Sequence, residues 1–264
     1  MSDLEAYQYV LISIVFIWSG IVRSGLGFGG AVLALPFLLL IDDQPLVYLP
    51  IIAVHLLVFS SLTVYTNHRR AKSSSSQSTV AWAYLWKMLL IMLIPKLIGV
   101  FGLITLPAYI MSTIIFCIIS VYALSYILNR PFMSKNKGAD TLFLMLGGYI
   151  SGTSLIGAPI IVAVFSKYLP RHQLRDTLFV LWFVLVTIKM ASFIYFEVDL
   201  QLIHHLWLLP CAAIGHYIGL RLHRYLLSTD SVKFYKILGS ALLITSVLGL
   251  YKAWAPTIIT LDLG

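Results

Sequence analysis

A stretch of glycines beside an arginine interrupts the first apolar part of the chain. Residues 23–36 read RSGLGFGGAVLALP and include four glycines: Gly25, Gly27, Gly29 and Gly30. Glycine inside a helix costs roughly 1 kcal/mol relative to alanine, so four together should open the helix. Backbone N–H groups at the start of the next helical segment could then bind an anion. The alternative is that these glycines only allow helices to pack closely.

A second interruption favours anion binding over close helix packing as the role of the glycines. Residues 151–159 read SGTSLIGAP, and a shift of about 128 residues aligns GGAV at 29–32 with GAPI at 157–160. Paired, glycine-interrupted apolar segments in corresponding halves of a chain indicate a transporter binding site. We therefore predict that both breaks supply anion-binding groups.

Cations inside apolar sequence are candidates for the same role. Burying an unpaired charge at the centre of a bilayer costs at least ~2.5–3.5 kcal/mol. Arg23, Lys96 and Lys189 lie in such positions, while Lys87 is close enough to a loop to reach water. An arginine could bind an oxyanion through two hydrogen bonds, and a lysine acts as a point charge. Lys96 and Lys189 could instead extend outward to water.

Neutral donors complete the predicted site. Hydroxyl and backbone N–H groups coordinate an anion without burying an opposite charge. Serine and threonine also often bond their own helix backbone, which is the alternative here. The predicted substrate-binding residues are Arg23, Ser24, Gly27, Gly29, Gly30, Lys96, Ser151, Gly152, Thr153, Ser154, Gly157 and Lys189.

Two histidines in apolar helices, His55 and His216, could relay protons because histidine titrates near neutral pH. Packed structural roles are the alternative. No carboxylate is placed as a proton carrier, and no nucleophile–base pattern or metal-ligand spacing is evident. We predict no enzyme activity, no cofactor and no metal.

The elements that position these residues follow from composition. The chain of 264 residues is 60% hydrophobic and 11% charged, with mean hydropathy +0.94. This is typical of a polytopic membrane protein. The net charge of +8 is divided among short loops, which indicates cytoplasmic loops rather than a nucleic-acid surface.

The predicted fold is an all-α polytopic membrane protein with an inverted repeat and about eight helical segments. Each half has a glycine-broken helical hairpin and three transmembrane helices, and the positive-inside rule places both termini outside. The first repeat, 1–130, has its hairpin at 7–41 and helices at about 46–67, 80–104 and 107–128. The second, 131–264, has its hairpin at 141–165 and helices at about 177–196, 202–227 and 234–254.

Four segments resemble the TauE/SafE family of membrane permeases, often described as sulfite exporters. They read SGLGFGGAVLALPFLLL and SGTSLIGAP at the breaks, then LPCAAIGHYIGLRLHRYL at 209–226 and ALLITSVLGLYKAW near the end. The resemblance implies a transporter of small anions, typically sulfite, sulfonates or related organic acids, in a prokaryotic inner membrane.

The combined expectation is a secondary transporter or exporter that works by alternating access around a midplane site between the two breaks. Its expected partners are a small anion, the lipid bilayer, a coupling ion (a proton or sodium) and a second copy in a homodimer. The alternatives are an anion channel and a membrane interaction or assembly protein that transports nothing.

Overall fold

The structure is a computed structural model that describes residues 4–26, 30–72, 80–226 and 231–262. Within these ranges the regular secondary structure is entirely helical, which confirms the all-α prediction. The α-helices, in chain order, are α1 Ala6–Leu26, α2 Gly30–Ile41, α3 Pro45–Lys72, α4 Trp82–Thr105, α5 Ala108–Ile127, α6 Lys137–Ser154, α7 Ala158–Tyr168, α8 Arg171–Tyr195, α9 His205–Leu226 and α10 Ser231–Asp262. A short 3-10 helix, Leu202–His204, precedes α9.

Six of the described helices are long and apolar enough to cross a bilayer: α1, α3, α4, α5, α8 and α10. The chain is therefore a polytopic integral membrane protein. Two shorter apolar helices, α2 and α7, each follow one of the predicted breaks. Helices α1 and α2 form the first broken pair, and α6 and α7 form the second.

Helix α6 begins four residues before the start of the predicted hairpin. The side chain of Asn136 accepts a hydrogen bond from the backbone N–H of Ala139 at 2.8 Å. An asparagine in this position satisfies one of the N–H groups that a helix start leaves without a partner. The cap extends the helix into the polar residues before Thr141.

The chain divides into two compact units. The first comprises the described residues within Met1–Leu49, Thr105–Pro131 and Gln201–Gly264, and the second those within Pro50–Ile104 and Phe132–Leu200. Each unit thus contains one broken pair together with helices from both sides of residue 130. The inverted repeat and its boundaries stay a prediction.

In the first unit, α1 packs along α9 with the two backbones in direct contact. A Cβ added to Gly20 would overlap the carbonyl oxygen of Ala212, and one added to Gly215 would overlap that of Ile17. Small residues at such crossings allow close approach where lipid provides no hydrophobic force between helices.

The second unit has a similar contact between α4 and α6. A Cβ on Gly99 would overlap the carbonyl oxygen of Tyr149, and one on Gly152 would overlap that of Lys96. This close approach holds the backbone of Lys96 against the last turn of α6. The glycines therefore fix the point from which the Lys96 side chain reaches the second break.

A polar cluster joins the loop ends of α6 and α7, outside the membrane-spanning segments. The carboxylate of Asp140 accepts hydrogen bonds from Lys167 Nζ, at 3.2 Å to Oδ2, and from the Tyr168 hydroxyl. Burial alone raises the pKa of Asp140, but hydrogen bonds from Ser134, Tyr168 and Lys167 outweigh it and lower that pKa below its ordinary value.

The contact between α4 and α6 predicts that alanine at a contact glycine destabilises the protein, although alanine favours a helix more than glycine does. Gly99→Ala should lower the thermal stability of the purified protein, because overpacking a close contact costs about 1–3 kcal/mol and exceeds the helix-propensity gain. Gly138→Ala is the control, since a Cβ there would meet only the Asn136 side chain at 3.4 Å. If the two variants melted at the same temperature, α4 and α6 would not be in backbone contact.

The Asp140 cluster predicts an acid-sensitive contribution to stability. A carboxyl group whose pKa is lowered on folding stabilises the protein above its unfolded pKa of about 3.9, and this is lost as pH falls through the folded pKa. Asp140→Asn should therefore melt earlier than the wild type at pH 7, with the difference shrinking below about pH 4. Glu5→Gln, at an exposed position, is the control. An unchanged difference across this range would contradict the assignment.

Candidate functional site

The second break is a buried, sharply defined interruption between α6 and α7. Helix α6 ends at Ser154, and Leu155 follows in the left-handed conformation with φ 60°. Pro159 lies in the first turn of α7 and cannot donate a hydrogen bond to the preceding helix. Leu155 and Ile156 are buried, as non-helical backbone at membrane depth must be.

Lys96 reaches this break from α4. Its side chain is fully buried, and Nζ lies 3.1 Å from the hydroxyl oxygen of Ser151 and 3.4 Å from the Ser151 carbonyl oxygen. Lys96 therefore does not extend outward to water, which was the alternative to a role at the break.

Lys189 reaches the same break from α8 and is also fully buried. Its Nζ donates to the carbonyl oxygens of Gly152, at 2.7 Å, and Thr153, at 3.3 Å. The ammonium also lies 5.5 Å from the centre of the Phe193 ring, within the range of a cation–π interaction.

Together the two lysines occupy the carbonyl end of α6. The last four carbonyl groups of a helix have no intrahelical partner, and the helix dipole places a partial negative charge there. Cations are stabilised at such an end. The sequence predicted each lysine separately, and the structure brings both onto three consecutive residues, 151–153.

The positive charge at the break has no nearby carboxylate. In the described residues the one salt bridge joins Lys167 to Asp140. In sequence the nearest acidic residues to Lys189 are Asp176, about 20 Å away along α8 at 1.5 Å per residue, and Glu197, which is exposed beyond the end of α8. A helix end carries only about half a negative charge, so it does not balance two ammonium groups.

The three hydroxyl groups predicted at this break differ in whether their proton already forms a hydrogen bond. The hydroxyl groups of Thr153 and Ser154 donate to the carbonyl oxygen of Ile150, at 3.1 and 3.0 Å. They therefore bond their own helix backbone, which was the alternative to binding an anion. The hydroxyl of Ser151 accepts from Lys96, and no acceptor for its own proton is found among the described residues. Ser151 is thus the hydroxyl that can donate to a bound anion.

The first break is described only at its two sides. Gly27 and Gly29 lie outside the described residues. Gly30 opens α2, and its carbonyl oxygen accepts a hydrogen bond from the Ser19 hydroxyl at 3.2 Å. A Cβ on Gly30 would lie 3.0 Å from the Cβ of Arg23, so the arginine side chain starts directly beside the first turn of α2.

Arg23 forms a cluster with two other predicted residues in the first unit. Arg23 and Ser24 are buried, and the Ser24 hydroxyl is hydrogen-bonded to Nδ1 of His216 on α9. Arg23 is close enough to His216 for their charges to interact. The other predicted relay residue, His55, is buried on α3, which belongs mostly to the second unit.

Sequence reasoning missed three residues that shape these clusters. Ser19 lies four positions before Arg23 and so on the same face of α1, a spacing that could have indicated it. Gly99 follows Lys96 by three positions, so the two residues lie on the same face of α4. Phe193 stands four positions after Lys189, and only the packed structure indicates its role.

Chemically, the side chains of Lys96, Lys189 and Ser151 bring hydrogen-bond donors and positive charge to the second break. Lys96, Lys189 and Ser151 suit an oxyanion, whose oxygens accept hydrogen bonds. No group of three or more histidine, cysteine or carboxylate side chains that could hold a metal occurs in the described part of the chain.

A protein-family comparison agrees with this chemistry. The family model described as Sulfite exporter TauE/SafE matches residues 12–249, which include both breaks and both glycine contacts. No curated protein and no solved structure matches the chain. The match extends over most of the 264 residues, and the chain therefore belongs to the sulfite exporter TauE/SafE family of membrane transporters of small anions.

Proposed function

We propose that this protein is a secondary transporter of a small oxyanion, such as sulfite, a sulfonate or a related organic acid, and that the anion binds at the second break. One observation carries the proposal: Lys96 and Lys189 are both fully buried at the carbonyl end of α6, with no carboxylate within ion-pair distance among the described residues.

The electrostatics at the carbonyl end of α6 favour the binding of an anion. Taking a charge out of water is costly unless it is paired and hydrogen-bonded. The carbonyl groups of α6 supply hydrogen bonds but only part of the opposite charge. A bound anion neutralises the remainder, and Lys96 and Lys189 bind it as point charges that tolerate several orientations.

Neutral donors fix the position of the anion. The hydroxyl of Ser151, which accepts from Lys96 and can donate its own proton, is one such donor. The first N–H groups of α7, at Ala158 and Ile160, have no partner within their own helix and carry the positive end of its dipole. In this account Gly152 and Gly157 allow the close backbone approach, and Thr153 and Ser154 hold the end of α6.

The Arg23 cluster has a related role within the first unit. Arg23 supplies a guanidinium group that can bind two oxygens of an anion, and Ser24 and His216 supply a hydrogen-bonded pair beside it. Gly27, Gly29 and Gly30 would contribute backbone groups at that break. The predicted coupling ion and homodimer belong to this proposal as well.

The burial of the lysines favours a transporter over a channel. A channel needs ion sites that stay accessible to water, whereas both ammonium groups have no exposed surface within the protein. Alternating access provides the opening and closing that a buried site requires. In an assembly protein the two lysines would only cap the carbonyl end of α6, and replacing them would leave anion flux unaffected.

Removing either buried charge should reduce transport without unfolding the protein. Lys96→Met and Lys189→Met each delete a charge-assisted hydrogen bond to the anion, worth about 1.5–3 kcal/mol, or roughly 10–100-fold in affinity. Methionine keeps the apolar stem, and the loss of a buried charge offsets part of the cost of leaving α6 carbonyl groups without a donor, so each variant should still fold. The measurement is uptake of radiolabelled sulfite and sulfoacetate into proteoliposomes, beside the melting temperature of each variant.

Lys87→Met is the matched control, because Lys87 lies on the same helix as Lys96 but is exposed. Wild-type uptake by both buried-lysine variants would mean that these lysines only cap α6, and the proposed site would be wrong. A current that does not saturate with anion concentration would favour the channel instead.

A further inference from the structure

We propose that Lys96 is a reversible proton-binding site and that Ser151 links its protonation to anion binding, so that one proton moves with each anion. This inference rests on the proposed function and names its coupling ion. It comes from a difference between the partners of the two buried lysines.

Lys189 has partners that favour its charged form. Both of its hydrogen bonds go to carbonyl oxygens, those of Gly152 and Thr153, which can only accept. The Phe193 ring face adds a further attraction for a cation. Lys189 is therefore the lysine that keeps its proton.

Lys96 has a partner that suits either charge state. Its shorter contact, 3.1 Å, is to the Ser151 hydroxyl, and its carbonyl contact is longer, at 3.4 Å. A hydroxyl can accept from an ammonium and can equally donate to a neutral amine. Two ammonium groups at the same helix end repel each other, which favours the release of a proton by one of them. The hydroxyl partner makes Lys96 that lysine.

The Ser151 hydroxyl then works as a switch. When Lys96 is charged, its N–H donates to the Ser151 oxygen, and the serine proton is available to the anion. When Lys96 is neutral, the serine proton is donated to the lone pair on Nζ, and the anion loses that donor together with one positive charge. Ser151 keeps its own proton throughout, and the transported proton resides on Lys96.

Other titratable groups in the second unit are poorly placed for this role. Tyr149 is the titratable side chain of α6 nearest the break, and its phenol lies on a helix that supplies no carboxylate there. His55 on α3 is the alternative carrier to test. The following charged or phenolic residues lie toward the other ends of α4, α6, α7 and α8: Lys87, Asp140, Lys167, Tyr168 and Asp176. Glu197 is exposed and lies beyond the end of α8.

The test uses sulfoacetate, whose acid groups stay ionised from about pH 6 to 9, so that any pH dependence belongs to the protein. In proteoliposomes that contain a pH-sensitive dye, an inward sulfoacetate gradient should acidify the lumen with one proton per anion. The affinity for sulfoacetate should fall about tenfold per pH unit once Lys96 titrates.

Arginine substitutions separate the two lysines, because arginine stays charged at every relevant pH. Lys96→Arg should bind sulfoacetate with no pH dependence and move no protons, whereas Lys189→Arg should retain the pH dependence. Ser151→Ala should weaken binding and flatten its pH dependence. Ser192→Ala is the control, since its hydroxyl donates to its own helix at Ile188, 3.0 Å away. Melting temperatures identify any variant that fails to fold.

Sulfoacetate flux without proton flux would overturn the inference and leave the proposed function intact. So would a pH dependence that persists in Lys96→Arg, or one that disappears in Lys189→Arg or His55→Asn instead. An absence of flux with both sulfoacetate and sulfite in the wild type would overturn the proposed function, and the inference with it.

Discussion

The end of α6 inside the apolar part of the protein is the constraint on which the second unit depends. A helix that stops there leaves carbonyl oxygens that lipid cannot satisfy. Lys96 and Lys189 donate to these oxygens, and in doing so they bring two positive charges to a buried position. The same side chains thus supply the donors that the helix end needs and the positive charge of the proposed anion site.

Glycine contacts make this arrangement geometrically possible. Gly99 and Gly152 allow α4 to touch α6, so a lysine one turn before Gly99 starts beside the break and need not extend far. The first unit has a comparable crossing at Gly20 and Gly215, close to the Ser24–His216 pair. In both units a glycine contact lies near buried polar side chains, because small residues allow the polar side chains of neighbouring helices to meet.

Much of this could be predicted from the sequence, because the governing effects are local or large. The run SGTSLIGAP contains Gly157 and Pro159, which begin α7, and a lysine in apolar sequence stands out through its desolvation cost. The helical, polytopic fold follows from hydropathy alone. The departures are also local: the Asn136 cap moves the start of α6, and Thr153 and Ser154 bond their own helix.

What the sequence could not provide is which distant residues meet. Lys96 and Lys189 belong to helices far apart in the chain, and nothing in their own segments indicates that both reach residues 151–153. The division into units that combine both ends of the chain is equally a property of packing. The different partners of the two lysines, on which the proposed proton site rests, are visible only once that packing is known.

The most direct test of the central claim is an experimental structure of the protein with selenite, a selenium analogue of sulfite whose anomalous scattering locates the anion. If the anion binds between the two lysines, a selenium peak should lie at the second break. Selenite oxygens should then lie at hydrogen-bonding distance, about 2.7–2.9 Å, from Lys96 Nζ and Lys189 Nζ. A selenium site elsewhere, with both ammonium groups still bound only to the carbonyl end of α6, would contradict it.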